Sequence, residues 1–153
     1  MSKKIVYNNC YGGFGLSPFG ELQYFKRKYP NKKIYIFIDD DFLESEPSDW
    51  RPIDETHEVF KDGEKLQFGT FIKFSLTDKP KDYDDILEHR LRDIGNRKDP
   101  ILIELIEEYG SVKISGRCAE LKILEIDDDD QWNIEEYDGA DIVITRNTYP
   151  WYD

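Results

Sequence analysis

The run Lys33-Ile34-Tyr35-Ile36-Phe37-Ile38-Asp39 constrains the fold more than any other segment. Its residues alternate in type, with three isoleucines facing one way and Tyr35 and Phe37 the other, so a strand built from it has few polar residues on either face. Such a strand needs cover on both faces, which makes it a central strand. A chain of 153 residues can supply that cover. At this length folding hides roughly two-thirds of the surface that the unfolded chain exposes, without requiring disulfides or a structural metal. Aromatic residues make up 14% of the chain and the apolar residues fall in periodic runs, which argues for a folded protein rather than a disordered one.

Around this strand the remaining elements can be placed. Lys4 to Asn8 is short, β-branched and aromatic, as a first strand is. Ser17 and Pro18 fit an N-cap and first helical position, with Phe19, Leu22 and Phe25 at helical spacing and Pro30-Asn31 as the stop. Thr56 to Phe60 and Lys65 to Leu76 flank Lys61-Asp62-Gly63-Glu64, a hairpin pattern. A stripe of Tyr83, Leu87, Leu91 and Ile94 predicts a helix from about Tyr83 to Ile94. Asp99-Pro100 opens another helix, ending at Gly110. Ser111 to Ile126 reads as a short strand, a turn at Ser115-Gly116 and the strand Leu121 to Ile126. Trp132 to Tyr137 and Ile142 to Thr145 make a last hairpin around Asp138-Gly139. The class is α+β: a single compact domain over residues 1–153, with a mixed or mostly antiparallel sheet, about three helices packed on it, and loop-like connections at 40–55 and 77–83.

The 33 acidic residues outnumber the 21 basic ones, for a net charge of −12. That excludes nonspecific duplex binding and an anionic-membrane surface, both of which need clustered positive charge. The N-terminus lacks the apolar stretch of a signal peptide and no segment approaches the ~20 apolar residues of a membrane span, so a cytoplasmic location is expected. Cys10 and Cys118 stand far apart, without zinc-site spacing, and are expected to be free thiols. The acidic runs 39–41 and 127–130 lack the glycine and closing glutamate of an EF-hand loop, so neither a metal nor a cofactor is expected. The same carboxylates could imitate phosphates toward a nucleic-acid-binding partner.

The most unusual segment is the glycine-rich turn from Asn9 to Ser17. Gly12, Gly13 and Gly15 permit close backbone approach, and a strand-turn-helix setting leaves N–H groups for an anion. Asn9, Tyr11, Gly12, Gly13, Phe14 and Ser17 are therefore candidate ligand contacts, with Tyr11 and Phe14 able to stack on a base. Arg97, just ahead of a helix cap, and Arg117, beside Gly116, are candidate anion contacts. The competing reading is a tight β-to-α turn with its aromatics in the core, Arg97 being part of a cap and ion pair; neither standard nucleotide-binding glycine motif is present. Cys10 is a candidate nucleophile at the same turn, but His57 and His89 form no recognisable cysteine-hydrolase signature with it, and a non-enzymatic protein is the expectation.

Two stretches resemble a family of small bacteriophage and prophage proteins. One is the segment Ile5-Val6-Tyr7-Asn8-Asn9-Cys10-Tyr11-Gly12-Gly13-Phe14-Gly15-Leu16-Ser17. The other is the far half, with Arg97-Lys98-Asp99-Pro100, Glu107-Glu108-Tyr109-Gly110, Ala119-Glu120-Leu121-Lys122 and Trp132-Asn133-Ile134-Glu135-Glu136-Tyr137-Asp138-Gly139. The likeness covers about half the chain. Residues 40–80 lie outside it, and the tail from Ala140 to Arg146 departs from the family's Glu-rich continuation. The resemblance implies a phage or mobile-element origin and carries no catalytic residues with it. Together with the turn it leads to the expectation of a phage accessory protein that binds a small anionic ligand, such as a nucleotide signal, to counter a host process. The alternatives are an acidic protein–protein inhibitor or nucleic-acid mimic directed at a host protein, and a cysteine-dependent enzyme. The many aromatics are compatible with a homo-oligomer.

Overall fold

The computed structural model describes residues 2–11, 13–39, 46–61 and 71–145. It is α+β, with antiparallel pairing throughout the described strands. Its residues group into two compact units, Met1–Leu16 with Arg90–Asp153, and Ser17–His89.

In the first unit, β1 (Ser2–Asn8) pairs along its whole length with β5 (Leu121–Asp127). Ile5 and Val6 point to opposite faces of β1, yet both are fully buried. Helix α2 (Pro100–Tyr109) covers one side with Leu102 and Leu105. It starts where Asp99 accepts hydrogen bonds from the Ile101 and Leu102 amides, at 2.8 and 3.3 Å, and it ends at Gly110, whose φ of +89° is costly for a residue with a side chain. A single helical turn, α3 (Ser111–Ile114), stands where a short strand is expected from the sequence; its Ile114 is buried and Ser115 closes it with a 2.8 Å bond to the Ser111 carbonyl. The hairpin of β6 (Trp132–Tyr137) and β7 (Ala140–Thr145) forms as expected, turning through Asp138 and Gly139, both at positive φ.

In the second unit, β2 (Tyr35–Asp39) is the central strand that its two-sided pattern predicts, lying between β3 (Arg51–Ile53) and β4 (Phe71–Ser75). Helix α1 (Pro18–Lys28) is capped by the Ser17 hydroxyl, which accepts from the Gly20 amide at 3.0 Å. Its Phe25 packs on Phe74 of β4, with ring centroids 5.1 Å apart. Phe74 pairs with Ile36, so α1 lies on the isoleucine face of the sheet. The opposite face carries Phe37 with its cross-strand partners Pro52 and Lys73.

Three further expectations change. The helix over 83–94 is absent. Asp82 instead caps one 3₁₀ turn at Tyr83–Asp85, Ile86 bridges Ser75, and the Leu87 amide donates to the Phe74 carbonyl at 2.8 Å, so the segment runs extended along the edge of β4. Short aspartate side chains that bond the local backbone compete with helix here, and a free sheet edge offers the alternative. Of the supposed stripe, Leu91 is buried while Tyr83 and Ile94 are exposed. Thr56 to Phe60 holds a 3₁₀ turn at Glu58–Phe60 rather than a strand, capped by His57 Nδ1, which accepts from the Val59 amide at 3.1 Å. The hairpin turn at 62–64 lies outside the described residues. Finally, the connection over 40–55 contains β3, which contributes Pro52, a residue tolerated at a sheet edge.

Candidate functional site

The glycine-rich turn is tied to the far end of its own unit by a buried polar network. Asn8, fully buried, donates from its backbone to Asp141 Oδ2 at 2.7 Å and from its side-chain amide to the Cys10 and Gly139 carbonyls, both at 2.9 Å. Its side-chain oxygen accepts from the Glu120 amide at 2.8 Å. Asp141 also receives Arg97 Nη1 at 2.5 Å, and both side chains of this ion pair are at most 2% exposed. Arg97 donates further to the Arg92 carbonyl at 2.9 and 3.0 Å and to the Val6 carbonyl, and its guanidinium stacks 4.2 Å from the centroid of the Phe14 ring. Phe14 and Arg97, both expected to touch an anion, are thus brought together, but the guanidinium's partners come from its own chain. Among the described residues no buried side-chain nitrogen or oxygen lacks a hydrogen-bond partner.

The other candidates at the turn are dispersed. Asn9 donates to Glu120 through its backbone at 2.8 Å and its side chain at 3.1 Å. The Asn9 amide, ahead of Lys122, holds the exposed Glu120 carboxyl below the ordinary carboxylate range. Tyr11 is 64% exposed and meets Tyr137 edge-on at 6.5 Å. Gly13 takes φ +104°, open to glycine at little cost, and Gly12 lies outside the described residues. Ser17 serves as the cap of α1 in the other unit. Arg117 is exposed beside Gly116, where an added Cβ would come within 3.1 Å of the Gly15 backbone, so glycine is needed for the approach of these two segments. Cys10 and Cys118 are free thiols, and Cys10 Sγ lies 3.4 Å from the Tyr11 carbonyl.

A more open arrangement lies in the Ser17–His89 unit. Five of the 21 basic residues fall within 26–33, a stretch with no acidic residue. The end of α1, the approach to β2 and the end of β3 enclose a groove of about 460 Å³, a size suited to a small ligand. Lys26, Lys32 and Lys33 line it together with Tyr29, Tyr35 and Phe37. Lys26 pairs with Glu55 at 2.8 Å, whereas Lys32 and Lys33 make no ion pair among the described residues. Lys33 Nζ lies 5.0 Å from the Tyr35 ring centroid. Asp54, Glu55 and Asp78 also line the groove, so its positive charge is local to the lysine stretch. The Asp54 carboxyl is held below the ordinary carboxylate range by hydrogen bonds from the Thr56 hydroxyl and amide.

Sequence reasoning missed this groove. In sequence, Lys26, Arg27 and Lys28 suit the negative end of a helix. The further signal was the continuation of basic residues past the helix stop, through Lys32 and Lys33, directly into the two-sided strand. No family model, curated protein or solved structure matches the chain. No described helix is long and apolar enough to cross a membrane.

Proposed function

We propose that this chain is a binding protein for a small anionic ligand bearing a planar ring, of which a nucleotide is the natural example, and that the ligand lies in the groove of the Ser17–His89 unit. The observation that carries this reading is the pair Lys32 and Lys33, without ion-pair partners among the described residues, beside Tyr29, Tyr35 and Phe37 in a groove of about 460 Å³. Lysine ammonium groups supply point charges for phosphate oxygens, and aromatic faces stack on a base without selecting its sequence. Arg97 is set aside as a ligand contact because Asp141 and two backbone carbonyls already take its guanidinium. The resemblance to phage proteins supports a sequestering role toward a host nucleotide signal.

A thermal-shift screen against mononucleotides and cyclic nucleotides tests the reading. Ligand at 100 times Kd adds about 2.7 kcal/mol of stability. Lys32→Glu with Lys33→Glu is expected to abolish the shift; absence of any shift in the unaltered protein overturns the proposal.

A second reading, an acidic inhibitor or mimic, is favoured by the exposed side chains of Asp127, Asp128, Asp129, Glu135, Glu136 and Asp138 on the β5, β6 and β7 segment. Lys3 Nζ secures this turn through the Asp128 and Asp130 carbonyls, at 3.0 and 2.8 Å. A basic partner captured by the unaltered protein and lost when Asp127 to Asp129 become asparagine would support that reading.

A further inference from the structure

Outside the lysine groove, the second unit holds a cation among three aromatic rings. Lys73 projects from β4 on the same face of the sheet as Phe71 and Phe37. Its ammonium lies 5.4 Å from the ring centroid of Phe71, 5.5 Å from that of Trp50 and 5.6 Å from that of Tyr83. Trp50 and Tyr83 meet edge-to-face at 5.8 Å. Trp50 is buried and forms the floor, whereas Phe71 and Tyr83 are 45% and 52% exposed and form walls that reach solvent. All three distances fall within the range in which a ring quadrupole attracts a cation.

We propose that Trp50, Phe71 and Tyr83 form a receptor site for a quaternary ammonium group, which Lys73 fills when that ligand is absent. The three rings already hold a positive nitrogen at cation–π distance, and that nitrogen is on a flexible four-carbon stem that can swing into water. A primary ammonium is poorly matched to such a site, because ring faces accept its N–H groups weakly and its strong hydration must be given up. A nitrogen carrying four carbons has no N–H to desolvate and presents methyl groups to the rings, so it can displace Lys73. The exposed charges near the rings are of both signs: Glu46 and Asp49 precede Trp50 and Asp82 and Asp84 flank Tyr83, while Arg51 follows Trp50 and Lys79 and Lys81 line the neighbouring groove. Beside the cage, a groove of about 540 Å³ bordered by Trp50, Phe37 and Pro47 gives room for the rest of the ligand. The group could belong to a free compound such as choline or to a trimethylated lysine of a peptide; the recognising chemistry is the same.

Titration of the full chain with tetramethylammonium, choline and a trimethyllysine peptide, followed by calorimetry and by the change in tryptophan fluorescence that is lost in Trp50→Phe, tests the site. Saturable binding of at least one of them is expected, with the peptide alone pointing to a protein source and choline alone to a free one. Lys73→Ala removes the internal competitor and is expected to tighten binding about five- to tenfold, the scale of one cation–π contact. Tyr83→Leu and Phe71→Leu, at exposed positions, are expected to weaken it at least as much while leaving the circular dichroism spectrum unchanged. The uncharged carbon analogue of choline, 3,3-dimethyl-1-butanol, should bind at least tenfold more weakly. No saturable binding to either the unaltered chain or Lys73→Ala overturns the proposal, as does equal affinity for the uncharged analogue.

Discussion

The glycine-rich turn and the outer face of the β3-β2-β4 sheet both combine aromatic rings with cations, and they use them in opposite ways. At the turn, Arg97 lies against Phe14 with its charge met by Asp141, and both charged side chains are almost wholly buried. On the sheet, Lys33 lies by Tyr35 and Lys73 by Trp50, Phe71 and Tyr83, with Phe71 and Tyr83 open to solvent. A cation–aromatic contact is thus a structural device where a carboxylate completes it in the interior, and a recognition element where its ring faces reach water. Glycine content, which draws attention to the turn in sequence, does not separate these cases; burial and charge partners do.

The largest effect is expected from breaking the buried pair. Asp141→Ala leaves Arg97 charged and uncompensated in the interior, and should cost about 3–5 kcal/mol in denaturant unfolding, with no comparable loss for replacing exposed Glu136. Phe14→Leu keeps the apolar bulk but removes the ring from the guanidinium, for an expected loss of about 2 kcal/mol in the same measurement. On the sheet side, Lys32→Glu and Lys33→Glu should change stability by less than about 0.5 kcal/mol, because they are exposed positions, while removing nucleotide-induced stabilisation.

The smallest effect is electrostatic. Asn9→Ala should let the Glu120 carboxyl rise toward its ordinary value in an NMR pH titration, with Lys122 still in place. Because folding lowers this group, the stability it contributes is present above its unfolded pKa and is lost as the pH falls through its folded one. Lys4, raised by its 2.7 Å contact with Glu107, behaves in the opposite sense: its contribution is complete below the unfolded pKa and fades as the pH rises through the folded one. Both groups are exposed, so these changes appear in titration curves rather than in large shifts of the unfolding midpoint.

Much of the architecture is legible where a local signal and the tertiary need agree. Ser17-Pro18 and Asp99-Pro100 begin helices because the cap, the fixed proline φ and the apolar spacing all favour the same state. Ile36, Phe37 and Ile38 identify the central strand for the same reason. The segment after Tyr83 misleads because its apolar spacing fits a helix, whereas Asp82 and the edge of β4 take its hydrogen bonds. The buried role of Arg97 was unreadable because its carboxylate partner is 44 residues away, in a hairpin that only the folded chain brings near. Lys73 is hidden in a different way: a lysine within a strand carries no sign of the rings contributed by Trp50 and Tyr83.

A nucleotide titration followed residue by residue in the amide NMR spectrum tests the central claim most directly. Binding in the groove predicts that the largest shifts fall at Tyr29 and over 32–37 and 53–55, and that they vanish in the Lys32→Glu, Lys33→Glu protein. Shifts concentrated over 9–15 and at Arg97 and Arg117, with affinity unchanged by those two substitutions, would contradict it and return the anion site to the glycine-rich turn.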